Sequence, residues 1–416
     1  MIQVLRHRSY RWLWMAQIAS LLGDELRTWA VVYWVFRTSG HSALAQSLII
    51  VAELAPGAFL GSLAGPWVDS WNRKKILVYC DLLRALLSLS FLLALRLESL
   101  AVLFGLVSLS ATVALLFQPA HGALLPAILP AGEITAALSL TRATATFMSL
   151  MGPTIGLAVY LKAGPSSAFI LDSLSFLVSA LLILLVRYQP GRSAGQEAVA
   201  SWSSYWSTFA EGIRYIRRHG KVRAIFLLIT SMSLGLGILN ALGLFMITRE
   251  LNLPESYLAW SGTAQALGML LGALALGILG RRLGSQRGLV VFGTELIAAG
   301  VALVAAAPGL GLLLGGRGLI GAGAAILSIA LSTFLLEIVP EELLGRIGAA
   351  LENIPTMVML VALLGAGYLG QQLSIRLLFA LSAVVIAVSG VQALLMLRPD
   401  VAVANVTEAE AEIAPP

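Results

Sequence analysis

The sequence predicts an all-α membrane protein: twelve transmembrane helices arranged as two pseudo-symmetric six-helix bundles. Composition is the first reason, since 58% of the 416 residues are hydrophobic and only 12% charged, about half the charge of an average soluble chain. No soluble core could absorb so much apolar chain, and backbone facing lipid must satisfy its own hydrogen bonds, which helices do internally. The second reason is spacing. Apolar runs bounded by charge, Gly or Pro recur near 11–36, 43–67, 76–95, 99–120, 135–161, 167–186, 224–248, 256–280, 288–307, 310–338, 348–371 and 376–397, each long enough to cross ~30 Å of hydrocarbon as a helix. The third is the longest break, which divides the runs six and six. Residues 1–187 form one bundle, 188–223 a cytoplasmic linker, 224–398 the second bundle, and 399–416 an acidic, Ala- and Pro-containing tail expected to be disordered.

An even number of spans puts both termini on one side. With the N-terminus inside, 18 Lys and Arg fall in cytoplasmic segments and only Arg37, Arg96, Lys162, Arg249 and Arg376 outside, which fixes both termini in the cytoplasm of an inner-membrane protein. The net charge of +6 therefore reflects orientation, and no nucleic-acid partner is expected. Cys80 stands alone and the four histidines are scattered, so neither an intramolecular disulfide nor a metal cluster is expected. No removable signal peptide is visible at the N-terminus.

Span 1 carries Asp24, Glu25 and Arg27. An ionisable group near the bilayer centre costs at least ~2.5 kcal/mol, so each asks for a partner or a wet cavity. Asp24 and Arg27, three apart, share a face and can pair, either to pin span 1 or to relay a proton. Glu25 points about 100° away and has no partner on its own helix. Glu53, eleventh of the twenty-five residues in span 2, sits near mid-depth with no base within a turn. A carboxyl so placed can exchange a proton near neutral pH. Trp29, one turn past Glu25, fits a packing role and a platform for an aromatic substrate alike, whereas Trp12, Trp14, Trp34, Trp67, Trp71 and Trp260 lie near span ends as interfacial anchors.

Spans 2 and 3 are joined by Gly61-Ser-Leu-Ala-Gly-Pro-Trp-Val-Asp-Ser-Trp-Asn-Arg-Lys-Lys75. Gly61 and Gly65 permit close helix approach; Asp69 and the triplet Arg73, Lys74 and Lys75 mark a turn at the cytoplasmic face. Asp81 and Arg84 in span 3, Asp172 in span 6 and Glu295 in span 9 read as structural. Span 5 holds Arg142, a candidate counter-ion to Glu53 or Asp24, and Met151-Gly-Pro-Thr-Ile-Gly156. There Gly152, Pro153 and Gly156 create a bend and a flat face. Arg317-Gly-Leu-Ile-Gly-Ala-Gly-Ala-Ala325 lies in span 10, and Asn240, Gln265, Glu352 and Asn353 give the second half its polar lining. In the linker, Phe209, Ile213 and Ile216 recur at spacings of three and four beside Arg214, Arg217 and Arg218, which suits an amphipathic helix on the inner leaflet, read first as a solvated linker holding the two halves together and second as a docking site for a partner.

The frame G-x-x-x-D followed by a basic triplet resembles the loop between helices 2 and 3 of the major facilitator superfamily. The string from Leu21-Leu-Gly-Asp24 to Asp81-Leu-Leu-Arg-Ala-Leu-Leu87 is similar to its bacterial multidrug, macrolide and siderophore exporter branch, although Ser70 stands where a base commonly follows the Asp. Gly-Pro-x-x-Gly on span 5 resembles the exporters' antiporter motif, and Pro340-Glu-Glu-Leu-Leu-Gly-Arg346 matches the turn between helices 10 and 11. The frame R-x-x-x-G-x-G-A-A at Arg317 resembles a motif that relatives carry on helix 4, where this chain has no Arg; either Arg317 substitutes or coupling runs through spans 1 and 2.

That resemblance implies a secondary active transporter working by rocker-switch alternating access. Proton-coupled efflux, by antiport, of amphiphilic or aromatic small molecules such as drugs, macrolides or siderophores is the leading expectation. The alternative is a facilitator or importer of a lipid-like, siderophore or metal-chelate solute without tight proton coupling. Gly65, Asp69, Arg73 and Lys74 would form a gate, with Asp69 against the start of helix 11 near Gly345 to Ala349. Asp24, Glu25, Arg27, Glu53, Arg142, Arg317 and Glu352 are the proton-coupling and cavity candidates; Trp29, Asn240, Gln265 and Asn353 are the substrate-cavity candidates. Expected partners are a small-molecule substrate, protons and the bilayer, with no cofactor and no metal, and the chain is expected to be a monomer. It contains no Gly-x-x-x-x-Gly-Lys-Ser/Thr and no Gly-x-Ser-x-Gly, so neither ATP hydrolysis nor another enzymatic activity is expected.

Overall fold

A computed structural model describes residues 2–188, 202–279 and 285–397, with backbone alone at residues 2, 62–70, 131, 150, 202–209, 279, 341–342 and 344–346. The helices are α1 (Arg8–Thr38), α2 (Ala43–Ser70), α3 (Arg73–Arg96), α4 (Leu100–Ile128), α5 (Ile134–Leu184), α6 (Trp202–Arg218), α7 (Gly220–Phe245), α8 (Tyr257–Leu279), α9 (Gln286–Ala306), α10 (Leu310–Ile338), α11 (Glu341–Leu369) and α12 (Ile375–Met396). Their starts follow local chemistry. Asn72, Ser99, Ser285 and Ser374 cap α3, α4, α9 and α12, each side-chain oxygen accepting a backbone N–H of the first turn.

Spans 5 and 6 are the two arms of α5, 134–163 and 165–184. The break lies at Gly164, whose φ of 78° and ψ of 172° suit only a residue without Cβ, and Pro165 then restarts a helix without an N–H to satisfy. Ten segments are long and apolar enough to cross a membrane, one of them Met151–Leu184, which runs through that break. With α1, long enough at 31 residues but charged, and α5 counted as two arms, the twelve predicted spans are present.

Within the first half α1 and α3 pack on α5, and α4 on α2 and α3; within the second α10 packs on α8 and α9, and α12 and α11 on α7. Between halves the main pairs are α2 with α11 and α5 with α8. These pairs exchange when the halves are exchanged, span 2 for span 8 and span 5 for span 11, as pseudo-two-fold symmetry requires. The α8–α9–α10 packing is backbone on backbone: a Cβ at Gly300 or at Gly316 would stand 2.7 Å from the other's carbonyl oxygen.

At the end of the molecule away from the termini, the halves are tied together. Arg37 pairs with Glu255 at 2.5 Å, Arg249 donates to the His41 carbonyl at 2.6 Å, and the Gln371 amide donates to Ser42 Oγ at 3.3 Å. The linker helix packs on the second half at its described end. α6 turns its apolar face to protein, with Ile216 buried in a cluster with Val222, Val339, Ile347 and Leu351 at the ends of α7, α10 and α11. Phe209 falls among the residues whose side chains are not described.

Candidate functional site

Intramembrane charge collects where α1, α3 and α5 meet. Arg27 Nη2 lies 2.8 Å from Asp24 Oδ1, as the three-residue spacing predicts. Arg84 of α3 also bonds Asp24, and Arg27 Nε reaches Asp172 Oδ2 at 3.4 Å. The Ser88 hydroxyl donates to Asp172 at 2.7 Å. Two guanidiniums and two carboxylates thus alternate across three helices. Asp172 is a buried support, as expected; Arg84, read as structural, is held in its pair with Asp24 and also borders the central cavity. Its count along α3 placed it ~16 Å from the helix start, so its depth was legible, but the face it presents was not.

These residues border a central cavity of about 850 Å³. Asp24, Glu25, Arg27 and Thr28 of α1, Glu53 and Gly57 of α2, Arg84, Ser110 and Gln118 of α3 and α4, and Glu352, Asn353 and Thr356 of α11 form its wall. Both halves therefore contribute. Asn353 is buried and Glu352 exposed to the cavity. Glu53 has no hydrogen bond or ion pair to any described residue, although Arg27 and Asp24 are close enough to act on it electrostatically.

Glu25 does have a partner, contrary to the sequence reading. Trp29 Nε1, one turn on, donates to Glu25 Oε2 at 3.1 Å. The pair is seated on α5: a Cβ at Gly152 would lie 2.1 Å from Glu25 Oε2, and one at Gly156 would lie 2.7 Å from Trp29 Cβ. Pro153, between them, meets Gly262 of α8 at the interface of the halves. Trp29 also packs near Tyr33, ring centroids 6.0 Å apart. It is not among the residues lining the central cavity; packing on Gly156 has turned it away from the platform role.

Arg142, expected as a counter-ion to Glu53 or Asp24, pairs with neither. It is exposed and does not line the central cavity, because the α5 face that packs on α1 carries Gly152 and Gly156 instead. Arg317, Gln265 and Asn240 do come together, in a second cavity of about 430 Å³ within the other half. There Arg317 Nη1 donates to Gln265 Oε1 at 3.2 Å.

The basic residues after α2 close off helix ends. Arg73 donates to the Ala123 carbonyl at 3.2 Å, and Lys74 Nζ to the Leu184 and Val186 carbonyls at 2.8 Å each, where cations at carbonyl-rich C-termini are favourable. Gly65 and Asp69, together with Gly345 on the facing helix, fall among the positions whose side chains are not described. Among the described residues no group of three His, Cys, Asp or Glu is placed to hold a metal ion.

A wet cavity shared by two six-helix halves matches a known family. The profile of the Major Facilitator Superfamily matches residues 13–248 and 224–415. The chain belongs to the major facilitator superfamily. It is a multi-pass membrane protein of a transporter superfamily.

Its superfamily relatives include the uncharacterized MFS-type transporter YkuC of Bacillus subtilis (strain 168), 24% identical over 287 residues, which are 67% of this chain and 65% of YkuC. The chain thus spans just under two thirds of that relative. Macrolide efflux protein A of Streptococcus pyogenes is 21% identical over 293 residues, 70% of this chain and 71% of that one. Multidrug efflux pump Tap of Mycolicibacterium fortuitum is 26% identical over 289 residues, 65% of this chain and 66% of Tap. Among solved structures, the nucleoside transporter NupG superposes with a TM-score of 0.73 at 15% identity, over 94% of this chain and 100% of that one. A bacterial homologue of the iron transporter ferroportin, inward-facing, gives 0.71 at 19% identity over 93% and 98%. In its outward-facing state the same homologue gives 0.63 at 18% identity, again over 93% and 98%.

Proposed function

We propose that the protein is a proton-coupled exporter of amphiphilic or aromatic compounds, operating by alternating access. One observation carries this reading: Glu53, a carboxyl on the wall of the shared cavity, makes no hydrogen bond or ion pair to any described residue. On its own half the neighbouring acids are engaged, Asp24 by two arginines and Glu25 by Trp29, while Glu352 faces it from α11, likewise without an ion pair to a described residue. A free carboxyl in a cavity that also admits substrate lets proton and solute compete for one volume, which is what antiport requires. The similarity to macrolide and multidrug efflux proteins supports the solute class and the outward direction. The tied end, with Arg37, Arg249 and Gln371 reaching across, supports a cavity open toward the termini; with the termini in the cytoplasm, that is the loading state of an exporter. The higher TM-score against the inward-facing form of the ferroportin homologue agrees.

The test is flux in proteoliposomes that enclose a pH indicator, with ethidium and erythromycin as probes. Entry of either compound should move protons the opposite way, and Glu53→Gln should remove the pH dependence while leaving ethidium binding in place. Wild-type flux that ignores the pH gradient would sink the antiport reading.

A further inference from the structure

The second cavity raises a question of charge. It lies between α7, α8, α9 and α10, and most of its wall is apolar: Met232, Leu236, Ile297, Ile320 and Leu331. One corner is polar. There the Arg317 guanidinium lies against α7 at Gly243, where a Cβ would stand 2.7 Å from Nη2, and gives one hydrogen bond to Gln265. Its Nε is buried with no hydrogen-bond partner. No carboxylate among the described residues pairs with it, whereas Arg27 and Arg84 each hold an aspartate.

A guanidinium offers five N–H donors and keeps its proton under all ordinary conditions, so Arg317 cannot relieve its burial by becoming neutral. An amide oxygen satisfies one donor and supplies no counter-charge. Such a cation inside a membrane protein marks a place where charge arrives from outside. A proton cannot be that visitor; an anion can. The planar fork suits a carboxylate or a sulfonate, which it grips through two parallel bonds. The apolar walls set the rest of the ligand, and about 430 Å³ is within the usual range for small-molecule sites.

We infer that the C-terminal half holds a subsite for an anionic amphiphile, the acid group on Arg317 with Gln265 steadying the guanidinium, and the apolar body against Met232, Leu236 and Ile297. The inference rests on the transport reading and narrows it: compounds carried by this protein include ones with a carboxylate or sulfonate on a compact hydrophobic frame.

Titration calorimetry on the full chain in nanodiscs tests this, with empty nanodiscs as the baseline. The probes are 1-naphthoate, 1-naphthylmethylammonium of matched shape and opposite charge, and acetate as the acid group alone. Naphthoate should bind the wild type and lose at least about tenfold in affinity in Arg317→Gln. Arg317→Lys should retain part of the affinity, and naphthylmethylammonium should be indifferent to both changes. Ala324→Leu, which fills the apolar wall, should weaken naphthoate; it also serves if Arg317→Gln does not fold. Equal naphthoate affinity in wild type and Arg317→Gln overturns the proposal, as does acetate binding as tightly as naphthoate, which would mean a simple-anion site. Naphthoate binding without proton-linked ethidium flux sinks only the antiport reading; flux without naphthoate binding sinks only this subsite.

Discussion

Asp24 receives two guanidiniums, Arg27 from its own helix and Arg84 from α3, while Arg27 also leans on Asp172. The set behaves as a unit, because removing one member leaves the others buried without a counter-charge, at a cost of about 3–5 kcal/mol. Asp24→Asn should therefore lower the thermal unfolding midpoint in detergent by several degrees. Adding Arg84→Gln should recover part of the loss, since it withdraws one of the stranded cations. A double variant less stable than Asp24→Asn would show that the two side chains act independently. Gly152 makes a sharper prediction about coupling. A methyl there displaces Glu25 from its seat, so Gly152→Ala should cut proton-linked flux at least about tenfold, with the protein still folded. Gly105→Ala, where an added Cβ meets nothing within 4 Å, should leave flux unchanged.

At the scale of helices, the chain announced nearly all of itself. Length and hydropathy placed the spans, and the Gly-Pro step at 164–165 placed the boundary between spans 5 and 6. The spacing of Asp24 and Arg27 predicted their pairing because an intrahelical contact depends only on local geometry. Contacts between helices depend on rotation about each axis, which apolar runs on every face do not encode; the exposed side of Arg142, the cavity face of Arg84 and the choice between two roles for Trp29 were not legible for that reason. The linker helix shows the same limit. Its amphipathic face was legible, but not whether lipid or protein would cover it. Because Ile216 is buried on α7 and α11, Ile216→Asp should free α6. Amide hydrogen exchange over residues 210–218 should then rise at least about tenfold while α7 keeps its protection; unchanged exchange would argue that α6 is held by something else.

Across the whole molecule, alternating access as proposed above would make the tied end a latch. The pair Arg37–Glu255 is partly exposed, and pairs of this kind contribute at most about 1 kcal/mol. Glu255→Gln should therefore shift the balance between the two access states by up to about fivefold, and raised salt should mimic it. Spin labels at Ser39→Cys and Asn252→Cys, in a Cys80→Ser background, would report this as a gain in the longer distance; a distribution unmoved by the substitution would locate the latch elsewhere, at Arg249 and His41 or along α2 and α11. The meeting of bare glycine backbones between α9 and α10 bears on how the molecule could be poisoned. Helices in such contact offer no seam there for a foreign molecule to wedge open, so a blocking compound should lodge in a cavity instead, and resistance to it should arise by exchanging the side chains that line that cavity.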